Sequence, residues 1–100
     1  MGVYLIKSTQ RDIAYIGFSI DLTARINRHK AELKFGTHQN RALQASWNLA
    51  GEAAFAFEVL DLLEHQEDPQ TNPAEELPVL LEMWIPKLEK EGYSIVTLQA

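Results

Sequence analysis

A few residues in this sequence have types suited to acting on an anion. Two phenols, Tyr4 and Tyr15, sit in short apolar segments near the N-terminus. Arg25 and His29 follow one helical turn apart, and Glu82 is the lone polar residue between Pro78 and Pro86, in Val-Leu-Leu-Glu-Met-Trp-Ile. An arginine fork suits a phosphate because two donors meet two oxygens and the charge never titrates away. A histidine can orient a neighbouring phenol or accept its proton. A carboxylate flanked by Val79 and Met83 needs a partner, and a hard divalent cation with oxygen ligands would serve. Each residue also has a plain structural reading: an aromatic pair that packs, an edge arginine lying on its stem, a core histidine, an exposed glutamate. Chemistry depends on whether the fold brings them together.

For the phenols to meet, the first two segments must pair. Residues 2–7 and 13–18 are β-branched and aromatic-rich, are separated by the polar Ser8 to Asp12, and read as a β-hairpin. A two-residue turn at Thr9-Gln10 pairs Lys7 with Asp12, and therefore Tyr4 with Tyr15 on one face. A slip of one residue would send them to opposite faces. Asp21 reads as the cap of a helix running to about Phe35, with Gly36 as its stop. Leu22, Ile26 and Leu33 mark the apolar stripe of that helix. His29 lies on the stripe and Arg25 at its edge, where a buried face meets a cleft.

A second helix is expected from about Asn40 to Ala50, ended by Gly51, then a third strand over Phe55 to Leu62. Glu64 to Ala74 reads as an exposed loop. Pro78 suits the first turn of a third helix that ends before Gly92, with Leu77, Leu80, Leu81, Trp84, Ile85 and Leu88 as its core stripe and Glu82 well off its centre. Pro86 removes the amide that would bond the Glu82 carbonyl, so a kink is expected there. Tyr93 to Leu98 is either a terminal strand or an extended tail. The expected architecture is one α+β domain over residues 1–100: a small antiparallel three-stranded β-sheet flanked by three helices, in the order ββααβα.

Composition sets the outer bounds. One hundred residues make a single core, and an apolar share of 46% is ordinary for a globular protein. No cysteine is present, which excludes disulfides and Cys-ligated zinc and fits a cytoplasmic setting. Apolar runs are far too short to span a membrane, and Met1 to Lys7 lacks the features of a signal peptide. The net charge of −5 argues against a nucleic-acid partner, but its distribution does not. Residues 1–52 hold seven Lys and Arg against four acids, whereas residues 53–100 hold two against ten. The basic half could meet phosphate, with Arg28, Lys30 and Arg41 as candidate contacts.

Taken in order, the residues resemble the GIY-YIG nuclease family. Gly2-Val3-Tyr4 stands for the first motif, with valine for isoleucine, and Tyr15-Ile16-Gly17 for the second. Arg25, His29 and Glu82 follow at family-like spacing. His38 to Trp47, Gly51 and Phe55 to Leu60 resemble the phage and homing-endonuclease branch, so the likeness covers nearly the whole chain.

The resemblance implies a DNA endonuclease that hydrolyses phosphodiester bonds. Water attacks the phosphate, with either Tyr4 or Tyr15 as phenolate general base, helped by His29. Arg25 neutralises the developing charge, and Glu82 is the sole protein ligand of one Mg²⁺ or Mn²⁺. A free tyrosine titrates near ~10, so the phenolate requires a pKa depressed by nearby cations. Gly17 and Ser94 are supporting residues. Ser94 stands where many relatives have asparagine after the last helix, and Phe18 where some have lysine. His38 and Asn40 either contact DNA or order a loop, Asn40 being a plausible cap. Relatives that cut long specific sites carry separate binding domains, so low intrinsic sequence specificity is expected, with DNA affinity supplied by a protein partner in one variant of this reading. The competing class is a catalytically weak nucleic-acid-binding or protein-interaction module that keeps the fold.

Overall fold

A computed structural model describes residues 1–9, 11–62 and 73–98, with backbone only for 73 and 74. Strands β1 (Gly2–Ser8) and β2 (Ile13–Ser19) are followed by helices α1 (Leu22–Phe35) and α2 (Arg41–Ala50). A 3₁₀ turn (Glu52–Ala54) leads into β3 (Phe55–Leu62), and α3 (Pro73–Lys90) into β4 (Ser94–Thr97). The two early helices begin and end where their capping residues stand. Asp21 accepts from the Ala24 amide at 3.1 Å, and Asn40 from the Leu43 amide at 3.0 Å. Gly36 closes α1 at φ 78°, a left-handed conformation in which its amide reaches back to the last turn.

The sheet departs from the expected three antiparallel strands. Among the described residues it has four, in the order β3-β1-β2-β4, and β4 runs parallel to β2. The order is therefore ββααβαβ, with β3, α3 and β4 forming a crossover that passes over β1 and β2. Tyr93 to Leu98 is thus mainly strand. Helix α3 also starts earlier than expected: Pro73 takes the N-terminal position that suits proline, while Pro78 and Pro86 both lie inside a continuous helix. The rest of the expected loop from Glu64 lies outside the described residues.

The hairpin register differs too. Tyr4 opposes Gly17, and Tyr15 opposes Ile6. The connection is longer than a two-residue turn, because β1 ends at Ser8, paired there with Phe55 of β3, and β2 begins only at Ile13. Thr9 then donates its amide to the Ala54 carbonyl at 2.8 Å, and Ser8 Oγ accepts the Arg11 amide at 3.2 Å. The resulting shift is two residues, which conserves faces. Tyr4 and Tyr15 are diagonal neighbours on one face, not a directly opposed pair.

Both faces of the sheet are covered. Ile6 and Tyr15 pack with Leu33 of α1 and with Leu43 and Trp47 of α2. Val3, Leu5, Ala14 and Ile16 pack on the opposite face with Leu81 and Leu88 of α3. Burial on two sides explains why β1 and β2 read as nearly unbroken apolar runs, as central strands do. Among the described residues no helix is long and apolar enough to cross a membrane.

Candidate active site

Tyr4 lies mid-strand in β1 with its ring on the α1 face, directly across from Gly17. That glycine is required by packing: a Cβ there would stand 2.5 Å from Tyr4 Oη and 2.6 Å from Cζ. The Tyr4 ring occupies the space a side chain would take. It is 0% exposed, and its Oη lies 2.6 Å from His29 Nε2. His29, buried on α1, sits with its Nδ1 2.8 Å from His38 Nε2, the two rings stacked at 5.0 Å between centroids. His38 is held in turn by α2. Its amide donates to Gln44 Oε1 at 3.1 Å, and its Nδ1 accepts the Asn40 amide at 3.0 Å. Gln44 is itself buried and fixed by donating to the Leu33 carbonyl at 3.0 Å.

The electrostatics follow from this enclosure. Burial pushes the Tyr4 phenol above its usual value, and the neighbouring Arg25 guanidinium pulls the other way without prevailing. The depressed pKa that a phenolate base requires is therefore not found at Tyr4. His29 is pushed down to about 4, first by burial and then by His38 and Arg25. His38 is lowered as well, mainly by burial. Both imidazoles are neutral at pH 7. Arg25 has a buried Nε with no hydrogen-bond partner among the described residues. A guanidinium donor in that state is suited to an anion, because leaving it unmet costs roughly 1–3 kcal/mol.

An open cleft of about 390 Å³ is lined by Arg25, Arg28, His29 and Glu32 of α1, by His38 and by Thr97 of β4, with the buried Tyr4 phenol behind His29. The other candidates are distributed differently. Tyr15, 2% exposed, is enclosed by Ile6, Leu33, Leu43, Trp47 and Phe55. Arg28 pairs with Glu32 at 3.1 Å on the cleft rim, and Asn40 also borders the cleft. Lys30 turns toward the Phe57 ring, 5.0 Å from its centroid. Arg41 lines a neighbouring polar groove of about 520 Å³ with Gln44 and Asn48.

Two candidates stand apart from the cleft. Ser94 begins β4 beside Ile13, donating its amide to the Asp12 carbonyl at 2.7 Å, whereas the cleft is at the Thr97 end of that strand. Thr97 went unnoticed in the sequence, where only the strand-or-tail pattern around it was visible. Glu82 is exposed on α3, the helix against the opposite sheet face, and is not among the cleft residues. At 100° per residue it points about 120° from the middle of the buried Leu77, Leu81 and Leu88 stripe. Its carboxylate is therefore not brought to Tyr4 and His29. Among the described residues no three His, Asp or Glu converge as a metal site would.

Comparison of the sequence and fold with known proteins identifies a family. Residues 1–94 match the family model described as the GIY-YIG catalytic domain. Over 67 residues the chain is 33% identical to intron-associated endonuclease 1 of Enterobacteria phage T4, covering 67% of this chain and 27% of that protein. The chain thus spans about a quarter of that relative's length. The fold superposes on the catalytic domain of homing endonuclease I-TevI with a TM-score of 0.72 at 23% identity, covering 99% of this chain and 98% of that one. A mutant form of the same domain gives 0.69 at 27% identity, covering 88% and 82%. With a family model matching nearly its whole length, the chain belongs to the GIY-YIG endonuclease family.

Proposed function

We propose that this chain is a DNA endonuclease domain that hydrolyses phosphodiester bonds with low intrinsic sequence specificity. One observation carries the reading: the Arg25 guanidinium, with its buried unmet Nε, stands beside the Tyr4–His29 pair at the wall of an open cleft. A phosphate entering the cleft would satisfy that donor. Arg25 would then hold the non-bridging oxygens and offset charge developing on them in the transition state. Tyr4 or Tyr15 is the general base. For Tyr4, the phenolate is a small fraction at neutral pH, because burial outweighs Arg25. Arg28 lies on the rim, where it supports the DNA backbone rather than the reacting phosphate.

GIY-YIG nucleases are generally dependent on a divalent metal, and Mg²⁺ or Mn²⁺ dependence belongs to this proposal, Glu82 being the ligand that the resemblance implies. The residues as placed do not fit a preformed ion site beside Tyr4, since Glu82 stands on the helix behind the sheet.

The same observation, with the full enclosure of Tyr4, favours a second reading: a binding or protein-interaction module that keeps the fold and cuts weakly. Nicking of supercoiled plasmid across a series of Mg²⁺ and Mn²⁺ concentrations separates the two. Metal-dependent nicking without preference for one long site supports the endonuclease. Salt-sensitive DNA binding with no cleavage under any divalent metal would establish the module instead.

A further inference from the structure

His38 has no step in the chemistry outlined above, yet it is buried and both of its ring nitrogens are engaged. Its Nδ1 faces the Asn40 main-chain amide at 3.0 Å. A backbone N–H can only donate, so this Nδ1 carries no proton, and the neutral ring holds its proton at Nε2. That Nε2 lies 2.8 Å from His29 Nδ1, which must then accept. Neutral His29 in turn carries its proton at Nε2, 2.6 Å from Tyr4 Oη. The three hydrogen bonds run in one direction, from a main-chain amide to the phenol oxygen. The opposite orientation, with Tyr4 donating to His29 and His29 to His38, would put a proton on His38 Nδ1 facing the Asn40 N–H. Two donors would then meet head to head in a buried place.

The start of the chain of bonds is rigid. Asn40 caps α2 through its side chain, which fixes its amide, and Gln44 holds the His38 amide. Burial, the neighbouring His38 and the charges of Arg25 and Arg28 keep His29 neutral against the opposing influence of Glu32. Burial and Arg25 do the same for His38 against Glu32 and the Asn40 hydrogen bond.

We propose that His38 is a positioning residue: anchored on the Asn40 amide, it locks His29 in the Nε2–H tautomer, so that His29 donates to the Tyr4 oxygen and cannot accept that phenol's proton. Of the two roles the sequence offered His29, orienting the phenol or accepting its proton, this keeps the first and excludes the second. A phenolate at Tyr4 would accept the His29 N–H and lie beside the Arg25 charge. The catalytic meaning rests on Tyr4 as the reacting phenol; the proton arrangement itself does not.

The test uses the full chain, labelled with ¹⁵N and free of DNA, in a long-range ¹H–¹⁵N correlation of the imidazoles at pH 7. His29 and His38 should both show the neutral Nε2–H pattern, and an Nδ1–H pattern at His29 would overturn the proposal. His38→Phe keeps a ring and removes the donor, so His29 should shift to a mixed tautomer pattern. His38→Gln, whose side-chain amide can donate to Nδ1, should restore the Nε2–H signature. An unchanged His29 spectrum in His38→Phe would refute the positioning role. Should that variant not fold, the wild-type and His38→Gln spectra still decide: loss of the Nε2–H pattern in either contradicts the proposal. Because these spectra need no substrate, a protein with the expected tautomers that cuts no DNA would reject the proposed function and leave this inference standing.

Discussion

Replacing Gly17 by alanine tests the packing that holds the Tyr4 phenol in place. The added methyl would stand 2.5 Å from Oη, 2.6 Å from Cζ and 3.0 Å from Cε1. The first two lie roughly 1 Å inside ordinary contact distance. Tyr4 is 0% exposed and tied to His29, so its ring has no solvent to swing into. Overpacking of this kind costs about 1–3 kcal/mol. Drawing Oη away from His29 adds roughly 1 kcal/mol. Removing a glycine from a strand interior offsets about 0.5–1 kcal/mol of that. The net destabilisation is about 1–3.5 kcal/mol, a fall in Tm of roughly 5–17 °C for a domain of this size. In a Tyr4→Val background the obstructing ring is gone, and the same substitution should be neutral or slightly stabilising. Thermal unfolding of the four proteins of this double-mutant cycle, followed by circular dichroism, reads the difference. Equal costs in both backgrounds, or an unchanged Tm for Gly17→Ala, would refute the packing argument.

Other consequences concern pH and the acid on α3. His29 titrates at about 4 in the fold against an ordinary value of 6.5, so the unfolded chain binds its proton more readily. Stability should fall as pH drops from 6.5 toward 4, by up to about 3.5 kcal/mol from His29, with His38 adding in the same direction. Urea unfolding at pH 7.5 and 4.5 should show a smaller loss in His29→Phe than in wild type; equal losses would contradict it. With the Tyr4 phenol raised, a cleavage rate that uses its phenolate should climb about tenfold per pH unit between pH 7 and 9. A flat profile, when chemistry is rate-limiting, would exclude Tyr4 as the base. Because Glu82 lies away from the cleft, Glu82→Ala should lower plasmid nicking less than Arg25→Ala. A loss as large as that of Arg25→Ala would mean that the carboxylate acts at the reacting phosphate after all.

The parts legible in the sequence are those set by local chemistry. Asp21 and Asn40 cap helices through their own side chains, and Gly36 ends α1 because it alone adopts a left-handed conformation without penalty. The stripe that carries Arg25 and His29 follows from helical periodicity alone, and their approach to Tyr4 follows from it. The register of the hairpin was not legible, because alternation is blind to a shift of two. It is settled by contacts far along the chain, such as Thr9 with Ala54. The parallel pairing of β4 with β2 was hidden for the same reason, since it depends on a crossover through α3. His38 lies in the loop between two helices, where spacing gives no face, so its burial against His29 emerges only with the fold. Glu82 shows the limit in the other direction. Its isolation among apolar residues suggested a site, but only Leu77, Leu81 and Leu88 form the buried stripe, and Glu82 shares the exposed side of α3 with Val79 and Met83.

The central claim is that Arg25, beside the Tyr4–His29 pair, makes the cleft a phosphodiester-cleaving site. Its most direct test is nicking of supercoiled plasmid by wild-type and Arg25→Ala proteins, purified in parallel and assayed with Mg²⁺ or Mn²⁺. The wild type should nick in a metal-dependent way, with a loss of at least about 100-fold when the guanidinium is removed, the scale of one such electrostatic contact. Equal nicking by the two proteins, or none by the wild type under any divalent metal, would contradict it.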